Sequence, residues 1–397
     1  MDVAIIGAGP AGSTLATLLA KSGLSCAVVD RDTLPRDKVC GEFLSYDALP
    51  ILEWLGAAST VDSAGATTIR RCRIFGSSRT YEFEFPGEAR GISRMQFDAL
   101  LLKNAEAHGA LRMDGWTALR VERAEGGPAL IVESRSGEIR QIQARVIAGA
   151  WGRWGRFDKQ LGRRFVSNIS HRHFGFKRHY RGITADSDSV DLYSFHGGYL
   201  GVSAIENGHT NICGLVHQKR MAGMRGGWKN FVPSIVDESA PLRALFATHE
   251  PDQDDFLTSE PVVFRAREPV EGGIVMIGDA AGIIDPLTGN GMAMAVQSAL
   301  LAACSIREIL SGRDRPLAEK QYASDYRNLF QSRLLWSRSA ARILSHPRLL
   351  DLSLTIAGRS RLGRRILIAT RAASVPIERL LQRWIQGKRH AIVERQA

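Results

Sequence analysis

A strand that runs straight into a glycine-rich turn and then a helix restricts the start of this chain more than any other feature. Residues 2–30 read DVAIIGAGPAGSTLATLLAKSGLSCAVVD. Val3 to Ile6 form an unbroken apolar run of the kind found in buried parallel strands. Gly7, Gly9 and Gly12 follow as GxGxxG around Pro10 and Ala11, with Ala16 and Gly23 in step beyond them. Gly7 permits a tight turn, Gly9 lets the backbone approach a pyrophosphate, and Gly12 lets helix and strand pack closely. The helix N-terminus adds positive potential for phosphate oxygens. A second apolar strand ends in Asp30, where a carboxylate takes the hydroxyls of a ribose. Together these features predict a dinucleotide on a βαβ unit, without saying which dinucleotide.

A second stretch makes that choice. Residues 272–303 read GGIVMIGDAAGIIDPLTGNGMAMAVQSALLAA: a buried strand, Gly278-Asp279, a loop rich in Pro and Gly, then a long apolar helix. This resembles the GD motif of FAD-dependent oxidoreductases of the geranylgeranyl reductase and p-hydroxybenzoate hydroxylase superfamily. The resemblance implies that Asp279 accepts a bond from the ribityl chain and that backbone amides of Thr288 to Gly291 face the flavin pyrimidine edge. A helix N-terminus there stabilises negative charge on reduced flavin. The segment GISRMQFDALLLKNAEAHGA resembles the family's strand-Arg-helix element and puts Arg94 at the cofactor. Residues 117–149 then read as a β-meander. By this resemblance the cofactor-binding residues are Gly7, Gly9, Pro10, Ala11, Gly12, Asp30, Arg31, Arg36, Cys40, Gly41, Arg94, Gly278, Asp279, Pro286, Gly289, Asn290, Gly291 and Met292.

Between the motifs lies DRDTLPRDKVCGEFLS, which resembles the family's P-R-x-K-x-C-G segment running across the flavin face. Carried over by position, Arg36, Lys38, Cys40, Gly41 and Glu42 form that wall. Two readings of Cys40 stand side by side: a thiol that protonates a substrate carbon after hydride transfer, or a small residue fitted to a close turn at Gly41. Glu42, following Gly41 into the cavity, is a second acid-base candidate.

Two departures from the family pattern matter. The strand end IAGAWGRWGR carries Trp151 where family hydroxylases have the Asp of an Ala-Asp-Gly motif. This puts direct reduction by NAD(P)H against supply from a separate reductase. Residues 193–216 resemble the corresponding region of flavin halogenases but lack their Trp-x-Trp-x-x-Pro pattern, and no dedicated lysine can be assigned. An Asn207-Gly208 turn joins two strands here. Phe174, Phe176, Tyr193, Phe195 and Tyr199 are candidates to line the substrate side. His171 and His173, with His179 nearby, have no carboxylate close by in sequence, so no metal is assigned.

The fold expected is α/β: a Rossmann-like FAD-binding domain (1–70, 90–160 and 265–310), an inserted antiparallel β-sheet substrate domain (71–89 and 161–264), and a helical region over 311–397. Five scattered cysteines, none in a CxxC pair, fit a reducing compartment. A strand directly after Met1 leaves no room for a signal peptide, so the reading is cytoplasmic, with peripheral membrane contact as its variant. Residues 331–397 hold 14 Arg and Lys against Asp351, Glu378 and Glu394, which accounts for the whole net charge of +11. There Ile377, Leu380, Leu381, Trp384 and Ile385 fall on one helical stripe flanked by Arg379, Arg383, Lys388 and Arg389. That helix either packs on its own domain or docks an acidic carrier protein or membrane surface. Nucleic acid is set aside, because no aromatic-basic interleaving accompanies the charge.

The function implied is flavin hydride transfer to or from a C=C bond of a hydrophobic small molecule, such as a polyketide, isoprenoid or carrier-bound aromatic. The alternative is a monooxygenase hydroxylating an aromatic or polyketide through a C4a-hydroperoxide. Behind both stand a halogenase and a non-catalytic prenyl-binding protein.

Overall fold

The computed structural model describes residues 1–167, 172–181, 188–222, 227–248, 250–251, 256–264, 267–357 and 377–396. The opening apolar run is the middle of a six-stranded sheet. Its spatial order is Val270–Glu271, Ile274–Met276, Val146–Gly149, Val3–Ile6, Cys26–Asp30 and Leu111–Asp114. All neighbours are parallel except the first pair. Strands buried on both faces need no alternation, which is why Val3–Ile6 and Cys26–Asp30 are apolar nearly throughout.

Gly7 and Gly12 do what their spacing demands. A Cβ on Gly12 would lie 1.9 Å from the Gly7 carbonyl oxygen, so the helix Pro10–Ala20 approaches its strand only because that atom is missing. The helix Gly291–Leu310 packs against it and belongs to the same core. It is long and apolar enough to cross a membrane, yet most of it is buried inside the fold. The meander of Trp116–Ala124, Gly127–Ser134 and Ile139–Gln143 forms a separate small sheet.

A nine-stranded sheet makes the second layer and takes in Phe43–Leu44, Thr67–Phe75, Thr80–Gly91 and the strands between His173 and Thr258. It is antiparallel with one exception: Ser189–Phe195 lies parallel to Thr67–Phe75. Asn207 and Gly208 both take positive φ, 59° and 71°, as a tight Asn-Gly connection requires. The aromatic candidates divide by face. Phe176, Tyr193 and Phe195 are buried in a cluster with Phe231, Ile235 and Leu242 of the covering helices. Phe174 packs on that same cluster. Tyr199 instead joins the cluster of Phe43, Ile283 and Leu287 beside the second glycine-rich loop. Strand alternation thus sends four of the five candidates to the cluster under the helices.

The stripe on the last helix, Ile377–Gln396, is used inside the molecule. Ile377, Leu380 and Trp384 are buried in the main core, and the Arg307 guanidinium lies 4.3 Å from the Trp384 ring centroid. Arg307 also donates to the Trp384 carbonyl at 2.8 Å. Cutting Trp384 to Ala should cost about 3–5 kcal/mol of stability, read as a lowered denaturation midpoint. A helix that served only as a free docking tail would show no such loss.

Candidate functional site

The two glycine-rich turns, some 270 residues apart in the chain, occupy one place. Gly278 has φ +58°, and a Cβ built on it would stand 3.0 Å from the Ala11 Cβ. Its N–H donates to Ser298 of the long helix. Ala8 N–H donates to Asp30 at 2.7 Å, so the end of the second strand and the first turn are tied together. Arg31 points outward, its guanidinium largely exposed and 3.6 Å from Asp32.

Arg36 lies beneath this turn. It pairs with Asp30, Asp32 and Asp98 at 2.9, 3.0 and 3.1 Å. Arg94 grips the Asp98 carboxylate with two bonds of 2.7 Å. Of the wall residues, Arg36 therefore organises carboxylates, and the Arg94 guanidinium is engaged by Asp98. Lys38 has its pKa pushed down to about 8, chiefly by burial and then by the neighbouring charge of Arg36.

The turn at Cys40 is fastened from every side. Asn211 donates to the Cys40 carbonyl at 2.9 Å, Ser203 to the Gly41 carbonyl at 3.1 Å, and Arg153 to the Val39 carbonyl at 2.9 Å. Glu42 is fully buried and sits at φ +54°, a conformation that costs a non-glycine residue about 1–3 kcal/mol. Its carboxylate accepts from Arg94 N–H at 2.8 Å and Lys177 Nζ at 2.5 Å, and meets His179 Nε2 at 2.8 Å. Glu42 thus does not open into a cavity; it is buried, and both its oxygens are engaged within the protein. Lys177 also donates to Asp37 at 2.5 Å. Burial works against charge on Lys177 and His179, but the carboxylates of Glu42 and Asp37 outweigh it and raise both pKa values.

Asp37, Glu42 and His179 offer ligand atoms within 4.8 Å of one another, a grouping that could hold a metal. The carboxylates absent near His179 in sequence thus arrive from a distant loop. The Lys177 ammonium already stands against two of the three, so the cluster carries its own cation. His173 faces His217 instead, at 5.0 Å between ring centroids, and His171 lies outside the described residues.

The second loop completes the site. Asp285 is buried and pushed up to about 6 by that burial, with the Tyr199 hydroxyl and Leu287 N–H donating to it. Gly289 sits at φ +62° against the Phe43 ring, while Gly291 has open space where a Cβ would go. Pro286 is exposed and Met292 buried at the helix start. Asn290 is fully buried, yet neither its amide nitrogen nor its oxygen has a partner. A buried amide left this way costs stability unless something else satisfies it. A flavin edge, with donors and acceptors side by side at a helix N-terminus, fits that demand. Asp279 is partly exposed, with Arg153 Nε 4.0 Å away.

Trp151 turns into the protein, donating to Asp158 at 3.1 Å and stacking on Phe157. Asp158, fully buried, also pairs with Arg163 at 3.0 Å, and Arg163 donates to the Ala280 carbonyl. This pair props the Gly278–Ala280 turn from behind. Sequence reasoning missed Asp98, Asp158, Arg163, Lys177 and Asn211. The signal available for Lys177 and His179 was two polar residues at period two inside the buried strand HFGFKRHYR.

Residues 1–335 match the family model of the FAD binding domain. The chain belongs to that family. The chain is accordingly an FAD-dependent enzyme, and its fold is that of the family's flavoproteins. Tryptophan 2-halogenase of Chondromyces crocatus is 27% identical over 351 residues, 83% of this chain and 65% of that protein. Menaquinone reductase of Mycobacterium tuberculosis is 28% identical over 340 residues, 79% of this chain and 77% of that protein. A geranylgeranyl bacteriochlorophyll reductase-like structure from Thermoplasma acidophilum matches with TM-score 0.74 at 22% identity, covering 96% of this chain and 95% of that one.

Two outcomes test this geometry. Asn290→Ala should leave the FAD-free protein as stable as before, because no protein partner is lost, while weakening FAD about tenfold in a fluorescence titration. Unchanged FAD affinity would remove Asn290 from the site. For His179, the raised native pKa means that its stabilisation is full below about pH 6.5 and fades as pH climbs through the native value. Asp37, Glu42, Lys177 and His209 all face it. The loss of melting temperature in His179→Gln should be greatest near pH 6 and shrink toward pH 9.

Proposed function

We propose that this FAD binding domain protein is an oxidoreductase that moves a hydride to or from a carbon–carbon double bond of a hydrophobic small molecule: a polyketide, isoprenoid or carrier-bound aromatic. The observation that carries this reading is the Cys40 thiol, which accepts from the Glu42 N–H at 3.5 Å in a loop stitched in place by Arg153, Ser203 and Asn211. FAD supplies the hydride chemistry when bound. The chain supplies the rest. The N-terminus of Gly291–Leu310 and the Asn290 amide favour negative charge beside them. Phe43, Tyr199, Ile283 and Leu287 form an apolar wall that excludes water. Cys40 holds the proton that a reduced carbon needs.

Hydroxylation remains the second reading, since hydride transfer and oxygen insertion use the same flavin frame. Halogenation is supported by the name of a relative, but not by Lys177, whose ammonium is fixed by Asp37 and Glu42 and turned away from any substrate role. Trp151, packed inward where hydroxylases have an Asp, favours a separate reductase over NAD(P)H as electron source. An acidic carrier protein or membrane surface would meet the last helix through its basic edge at the exposed Arg379, because the apolar stripe is already buried.

The deciding experiment reduces the flavoprotein without oxygen and then adds lipophilic enones, quinones or polyenes. Reoxidation of the flavin by substrate alone supports the proposal. Reoxidation that waits for oxygen and yields a hydroxylated product, or a halogenated one when halide is present, overturns it. Cys40→Ala should keep its flavin and lose at least about 100-fold in turnover if the thiol is the proton donor. Full turnover would leave Cys40 as packing.

A further inference from the structure

We infer that Lys177 and His179 are positioning residues for the Cys40 thiol and act on it through Glu42. The inference rests on the placement of Cys40 at the flavin face proposed above, and concerns how that thiol is held.

Glu42 is one of two non-glycine residues with positive φ among the described residues; the other, Asn207, belongs to a tight turn where Asn is the ordinary choice. Glutamate has no such excuse. A glycine would adopt φ +54° without strain, so a side chain at this position is retained for what the carboxylate holds. It holds three partners from two other elements. Arg94 N–H is at the start of the helix Arg94–Ala107, while Lys177 and His179 alternate on the strand His173–Arg181. These contacts fix both ends of the residue: the carboxylate is clamped, and the backbone is forced into the left-handed turn.

That turn has one consequence for chemistry. It aims the Glu42 N–H at the Cys40 sulfur, 3.5 Å away. A backbone donor is thereby held on Sγ, and the clamp on the Glu42 carboxylate sets its aim. Lys177 is central because it bridges Glu42 and Asp37, and removing it would leave two carboxylates within 4.8 Å of each other with only His179 facing both. The carboxylate of Glu42 would then turn away or release the turn, and the N–H would lose its aim.

A purely structural role predicts the opposite sign. A loop that is only loosened exposes its cysteine and lets it react faster, whereas a sulfur that loses its donor reacts more slowly. The FAD-bound protein should therefore be treated with iodoacetamide at constant pH, and the rate of Cys40 carbamidomethylation read by peptide mass spectrometry. We expect Lys177→Met to slow Cys40 about tenfold and His179→Gln by a smaller factor. Adding Lys177→Met to a Glu42→Gln background should slow it no further, since the effect runs through Glu42. Rates within twofold of wild type in variants that keep their flavin spectrum would overturn the inference, as would faster labelling. If Lys177→Met fails to fold, the His179→Gln comparison alone decides, by the same criterion. Labelling needs no substrate, so an error in the proposed reaction leaves this result standing. Full turnover by Cys40→Ala would refute the reaction role without touching it.

Discussion

The whole site depends on a missing atom. Gly278 and Ala11 come so close that a side chain on the former would press on the latter, and φ +58° at Gly278 excludes other residues a second time. Because that contact is possible, the helices Pro10–Ala20 and Gly291–Leu310 lie against each other with their N-termini at one place. Two helix N-termini brought together in this way favour an anionic group beside them. Asp158 and Arg163 hold the second turn in position from behind, buried and mutually neutral. Without this approach the chain would hold two unrelated loops.

Most of the charge around the first turn is managed by pairing carboxylates with a guanidinium or ammonium. Arg36 and Arg94 bind Asp30, Asp32 and Asp98; Lys177 binds Asp37 and Glu42. Taking one ion of such a pair out of water costs several kcal/mol, which is regained only where geometry is close and every lone pair is used. These knots are therefore poor sources of stability and good sources of shape. They fix the direction of the segment 36–42, where the backbone is strained and the thiol lies. Asp285 shows the contrasting case. With a hydroxyl and an amide but no paired cation in contact, its pKa rises.

How much of this is written in the sequence follows from the distance over which each feature is encoded. The strand-turn-helix at residues 3–20, the GD loop and the Asn207-Gly208 turn are local: each depends on residues within one turn of each other, and each appears where its spacing predicts. The Cys40 segment was legible by family likeness as a wall but not in its wiring, because its partners lie far along the chain. Lys177 is 135 residues from Glu42, and no periodicity links them. The aromatic residues failed for a different reason. Alternation says that neighbours on a strand face opposite sides, but not which side is the site until the covering helices are placed. The basic last helix was ambiguous for the same reason; its stripe needed a partner, and the core supplied one.

The frame that binds FAD is shared with relatives named as halogenases and as reductases, so it cannot be what separates them. What differs must stand on the face that the second sheet turns toward the flavin loops. In this chain that face carries Asn211 and Ser203 on the Cys40 turn, Tyr199 on Asp285, and Lys177 with His179 on Glu42. Each reaches across from the sheet to a cofactor loop, and each does so with a side chain that strand periodicity alone would assign to either face. The sheet is thus more than a lid over the flavin. By these bonds it sets the conformation of the Cys40 turn and of the loop around Asp285.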